Sequence, residues 1–119
     1  MTLDSLVETH GLNPGFIKID VEGGEVDCLR GGRQTIARHR PFISVEYGSP
    51  TYLPYGNSKM TLFVLATEMG YAISDLFGNV ISTPAEWSLI CDAAYWDYML
   101  VPQERLADWK TFFLDLRRN

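Results

Sequence analysis

Residues 16–25 read Phe16-Ile17-Lys18-Ile19-Asp20-Val21-Glu22-Gly23-Gly24-Glu25, an apolar, β-branched run that ends abruptly in carboxylates and a glycine pair. Followed by a helix-compatible segment, such a run predicts a strand over 16–20 feeding an acidic strand-to-helix turn. The strand alternates little between apolar and polar positions, so coverage on both faces is expected, as in parallel sheets. Lys18 is the exception, and its long stem suits snorkelling or pairing with a carboxylate. Ligands of open α/β sheets bind beyond the carboxyl ends of strands, which makes this turn the place to look for function.

Upstream of it, Leu3, Leu6 and Val7 lie at helical spacing and Gly11 stops the helix, after which Asn13-Pro14-Gly15 turns the chain into the strand. Downstream, Val26, Leu29 and Ile36 mark one apolar helical face, broken by Gly31-Gly32 and ended by Pro41. The stretch 42–46 is a second strand that closes on Glu46. Strand, helix, strand predicts a right-handed parallel crossover, which brings Asp20 and Glu46 to the same edge of the sheet.

The segment 48–57 mixes glycine, proline, serine and asparagine with Tyr52 and Tyr55, directly after Tyr47. It predicts a loop that either walls a pocket or packs down on its own tyrosines. A helix begins near Ser58 or Thr61 and closes at Gly70, and a hairpin is expected from 71–77 and 80–82 around a two-residue Gly78-Asn79 turn. Thr83-Pro84-Ala85-Glu86 has the form of a capping box. A last strand over 95–101 stops at Pro102, and Leu106, Trp109, Phe113 and Leu116 stripe a final helix whose end Arg117 and Arg118 complement.

At 119 residues the chain is sized for one domain with one core. Its net charge of −5 opposes nonspecific binding to nucleic acid or to an anionic membrane. Cys28 and Cys91 are far apart, without a CxxC, so neither a zinc site nor a disulfide framework is indicated, and a reducing, cytoplasmic setting is expected. No apolar run reaches bilayer-spanning length.

Three carboxylates, Asp20, Glu22 and Glu25, crowd a helix start whose N–H groups otherwise attract anions. They repel phosphate and favour a cation, a hydroxyl that needs a base, or a divalent metal held by oxygens. The plainer alternative is that Asp20 caps the helix while Glu22 and Glu25 stabilise its first turn by about 0.3–1 kcal/mol each. His10 and His39 fall near helix C-termini and read as structural, and no arrangement suggests a covalent nucleophile.

The run Thr2-Leu3-Asp4-Ser5-Leu6, then 16–23, Glu25, Leu29-Arg30-Gly31, Arg40-Pro41 and Val45-Glu46 resembles the FkbM family of S-adenosylmethionine-dependent methyltransferases. The later elements resemble it more loosely, at Glu68-Met69-Gly70-Tyr71 and at 97–102. The resemblance implies the second half of a Rossmann-like α/β methyltransferase sheet, as a single partial domain over 1–119. Its parallel strands would be followed by a C-terminal antiparallel hairpin, with flanking helices. It implies an O-methyltransferase acting on a hydroxyl of a sugar, lipid or small natural product. Asp20 would lie beside the methyl donor, with Asp20, Glu22 and Glu46 catalytic, Lys18, Gly23 and Tyr47 on the acceptor, and no metal.

In the family the glycine-rich loop and acidic residue that grip the donor precede these residues. The expectation is therefore that donor binding by the isolated chain, and its catalysis, are weak or absent. The same comparison makes strand 16–20 internal to the family sheet. An unpaired edge there is expected to recruit a homodimer partner or a separate polypeptide. The competing functions are a noncatalytic assembly module and an acidic divalent-metal-binding domain.

Overall fold

The computed structural model describes residues 1–93 and 95–118. Five strands form one mixed sheet in the order β1-β2-β5-β3-β4, with β1 at Phe16–Ile19, β2 at Phe42–Glu46, β3 at Tyr71–Ser74, β4 at Val80–Ile81 and β5 at Asp97–Pro102. Helices α1 (Leu3–His10), α2 (Glu25–Gly31), α3 (Arg33–His39), α4 (Ser49–Tyr52), α5 (Lys59–Glu68), α6 (Pro84–Ile90) and α7 (Leu106–Arg118) complete it. Only β1 and β2 are parallel; β5 runs antiparallel to both β2 and β3, and β3 to β4. This is a partial Rossmann-like methyltransferase sheet. The side chains of Arg117 and Arg118, expected to complement the end of α7, lie outside what is described.

The register sorts the strands into two faces. Ile17, Ile43, Leu100, Ile73 and Ile81 align across the sheet, and with Ile19, Val45 and Tyr98 they point into the main core. There they meet Val26 and Leu29 of α2, Ile36 of α3, Leu62 and Leu65 of α5, and Trp87 of α6, all buried. Alternation puts Phe16, Lys18, Phe42, Ser44, Met99 and Ser74 on the opposite face. α7 and the 3-10 turn Gln103–Arg105 before it lie over that face: Trp109 packs on Phe42 with ring centroids 5.9 Å apart and donates its indole N–H to Ser74 Oγ at 2.8 Å, and the Arg105 guanidinium sits 5.2 Å over the Phe42 ring.

Coverage of β1 on both faces is therefore not what forms. Phe16 is 56% exposed and Lys18 is exposed, because β1 is the sheet's edge strand and α7 lies beyond its reach. Three other expectations also change. The 48–57 loop contains α4, with Pro50 in its first turn, and a 3-10 turn at Leu53–Tyr55. The hairpin closes through 75–79 rather than two residues, because the Asp75 carboxylate accepts the amides of Phe77 and Asn79 and the Asn79 side-chain N–H. β5 runs through Pro102, which pairs with Tyr71 of β3, rather than stopping before it.

Local chemistry sets the rest. Thr2 caps α1 and Ser58 with Thr61 forms the capping box of α5. The start of α3 is capped from a distance: Asp4, in α1, accepts the amides of Gln34 and Thr35 at 3.1 and 2.8 Å. Arg40, left-handed at the end of α3, donates to the carbonyls of Met69 and Gly70 and to both oxygens of Glu104.

Candidate functional site at the acidic sheet edge

Parallel pairing of Ile19 with Val45 carries Asp20 and Glu46 out at the same sheet edge. Antiparallel β5 begins at that edge, and Asp97 pairs directly with Glu46. Three carboxylates from three strand ends thus share one rim, with Glu22 on the turn beyond. Among the described residues, no hydrogen bond or ion pair holds the side chains of Asp20, Glu22, Glu46 or Asp97.

Burial at the rim and repulsion, from Asp20 and Asp97 first and then from Glu25 and Glu22, raise the pKa of Glu46 above the ordinary carboxyl value. A carboxylate so placed binds a proton more readily than an isolated glutamate, which is the property a general base needs.

The turn that presents Asp20 and Glu22 is built from inside. Glu22 and Gly23 take positive φ of 48° and 108°. Glu25, 1% exposed, turns its carboxylate back so that both oxygens accept the Gly23 amide, at 3.1 and 2.9 Å. A Cβ on Gly23 would collide with the Thr51 carbonyl and the Tyr55 ring, so this turn is seated against α4 and the 3-10 turn. Gly48 is crowded in the same way by the Trp96 ring. Asp20 does not cap α2: the cap position belongs to Gly24, which makes no side-chain bond.

Of the residues singled out in the sequence, Asp20 and Glu46 come together on the rim, and Lys18 lies on the same sheet face one alternation below Asp20. Glu22 is exposed at the lip. Gly23 is buried beneath Tyr55. Tyr47 points into the core, where it stacks on Tyr52 at 4.5 Å and donates its hydroxyl to the Ser58 carbonyl at 2.7 Å. Burial pushes the Tyr47 hydroxyl up to about 12. Below α4, Asp92 accepts the Ser49 amide and the Tyr52 hydroxyl, which ties this wall to the end of α6.

Two contributors escaped sequence reasoning. Asp97 gave no local signal, since only the β2–β5 register reveals it. Glu25 was visible, but as a helix-turn acid rather than as the clamp on Gly23. Among the described residues, no group of three or more His, Cys, Asp or Glu side chains is close enough to hold a metal ion.

A model of the methyltransferase FkbM domain matches residues 1–73, from α1 through most of β3. No curated protein and no solved structure matches the chain. No helix among the described residues is long and apolar enough to cross a membrane.

Proposed function

The chain belongs to the FkbM methyltransferase family, and from that premise we propose that its acidic rim is the acceptor side of an S-adenosylmethionine-dependent O-methyltransferase. The observation that carries this reading is the meeting of Asp20, Glu46 and Asp97, with the pKa of Glu46 raised. In the proposed reaction Glu46 accepts the proton of an acceptor hydroxyl on a sugar, lipid or small natural product. Asp20 and Glu22 orient that hydroxyl, and Lys18 holds the acceptor from the sheet face. Gly23 and Tyr47 shape the acceptor site from behind, through the Gly23 turn and the wall of α4. Methyl transfer is a displacement governed by positioning, so the rigidity of the Glu25-clamped turn is part of the mechanism.

The residues present suit one side of the methyl donor. Open carboxylates match a cationic sulfonium, and in this reading Asp20 faces it. S-adenosylmethionine, when bound, supplies the electrophilic methyl group. The glycine pair is no cradle for the rest of the donor, because the Gly23 amide is already taken by Glu25 and the space of its absent Cβ is filled by Tyr55. We therefore assign the remainder of the donor site to a polypeptide segment that pairs along the open edge of β1, from a second copy or a separate chain. The isolated chain is expected to bind the donor weakly and to transfer methyl groups slowly or not at all. Two free cysteines agree with a reducing, cytoplasmic setting.

The open β1 edge favours one other reading, a noncatalytic assembly module. Transfer of labelled methyl groups to hydroxylated acceptors, assayed with the β1 edge complemented, separates the two. Methyl transfer predicts that Asp20→Asn and Glu46→Gln each lower turnover by about 100-fold or more with the fold intact. Unchanged turnover in both variants, or no transfer to any acceptor, contradicts it.

A further inference from the structure

The sheet face that carries Lys18 does not end at the acidic rim. Followed down the strands by alternation, Lys18 and Phe16 lie in one row on β1 that Asp20 continues just past the strand's end, Glu46, Ser44 and Phe42 lie in the next on β2, and Asp97 and Met99 in the next on β5. The three rows change character together, from carboxylates at the rim through Lys18 and Ser44 to apolar side chains. Four residues of strand separate Phe16 from Asp20, about 13 Å.

At the apolar end α7 stops short of β1 and leaves a groove of about 410 Å³. Phe16, Phe42 and Met99 form its floor and Trp109 and Phe112 its wall. Its charged lining groups, Arg105 and Asp108, already neutralise each other at 2.9 Å. Phe16 and Phe112 are more than half exposed on either side of it. The volume is that of a small-molecule site, the lining is apolar, and the polar groups lie in one direction only.

Resting on the acceptor assignment above, we propose that the acceptor is a single-molecule amphiphile. Its apolar body lies in the groove between β1 and α7, and its hydroxylated head reaches past Lys18 and Ser44 to Asp20 and Glu46. The charge pattern selects this occupant. A tail alone leaves the carboxylates and Lys18 unused, and a small sugar alone leaves the aromatic floor exposed. An anionic head would be repelled by Asp20, Glu46 and Asp97, so the head is neutral or cationic.

The test needs no methyl donor. Octyl β-D-glucoside below its micellar concentration is titrated into the full chain, with methyl β-D-glucoside as the tailless control, and amide shifts and Trp109 fluorescence are followed. The expected result is saturable binding of the octyl compound that shifts amides at both ends of the rows, near Phe16 and Phe42 and near Asp20 and Glu46. The tailless control binds about tenfold more weakly or less. Phe112→Asp, at an exposed position of α7, lowers affinity by about tenfold with the spectrum of the rest of the chain unchanged, and Phe16→Ser does the same from the other side.

Equal binding of the tailless control, shifts confined to the groove with a silent rim, or no saturation overturns the proposal. Binding without methyl transfer in the complemented assay leaves the amphiphile site standing as a binding site and sinks the enzymatic reading. Efficient methylation of a tailless acceptor does the opposite.

Discussion

Gly23 and Glu25 decide the geometry of the rim residue by residue. A buried carboxylate without partners would cost several kcal/mol; here its two oxygens converge on one amide that the left-handed turn turns inward. Glu25→Ala leaves that amide unsatisfied, and a loss of about 2 kcal/mol in denaturant-unfolding stability is expected. Gly23→Ala meets both an unfavourable φ and the Tyr55 ring, so it is expected to be at least as damaging. If both variants unfold like the parent, the turn is not held as described. Either substitution also moves Asp20 and Glu22, so lost stability and a lost rim are expected together.

Among the elements, α3 depends on a side chain thirty residues away. Burial alone would raise the pKa of Asp4, but hydrogen bonds from Thr35 and Gln34 outweigh it and hold the carboxyl below its ordinary value. A lowered folded-state pKa contributes stability that is present above the unfolded value and disappears as pH falls through the folded one. Asp4→Ala is therefore expected to cost about 1 kcal/mol at neutral pH and nothing once Asp4 is protonated. Equal loss at both ends of a pH series of unfolding curves would rule the cap out.

The same element shows what the sequence could and could not convey. Strands at 16–20 and 42–46, the Ser58 start of α5 and the Thr83 start of α6 are written in local periodicity and capping residues, and so is the convergence of Asp20 with Glu46. The Asp4 cap, the place of Asp97 beside Glu46 and the exposed face of β1 depend on pairings between distant segments. No local pattern encodes them. α4 was hidden because four residues carry too little periodicity, and the 75–79 turn because the Asp75 carboxylate replaces the tight turn that Gly78-Asn79 alone suggests.

On the scale of the whole molecule, a chain of net charge −5 gathers carboxylates at one end of its sheet and has an unpaired edge strand in β1. The edge favours pairing with another segment, and the clustered charge opposes it. Light scattering across a concentration series is expected to show self-association through β1, or association with a co-purifying chain. Substituting Ile17 by proline is expected to abolish it; a clean monomer at high concentration with no partner would count against the edge.

The crowded rim also has a cost. A raised folded-state pKa favours the folded protein below the ordinary carboxyl value, and that advantage is lost as pH rises through the folded value. Glu46→Gln is accordingly expected to stabilise the chain at neutral pH and to make no difference in acid. Its effect on turnover is expected to be the reverse, which separates a functional charge from a structural one.

The most direct measurement is a carboxyl carbon NMR titration of Glu46 in the parent chain, in Asp20→Asn and in Asp97→Asn. Convergence of three strand ends predicts that Glu46 titrates above the ordinary glutamate value and moves down in both variants. A Glu46 that titrates at the ordinary value and ignores both substitutions would mean that the rim does not exist as an electrostatic unit, and the acceptor site built on it would fall with it.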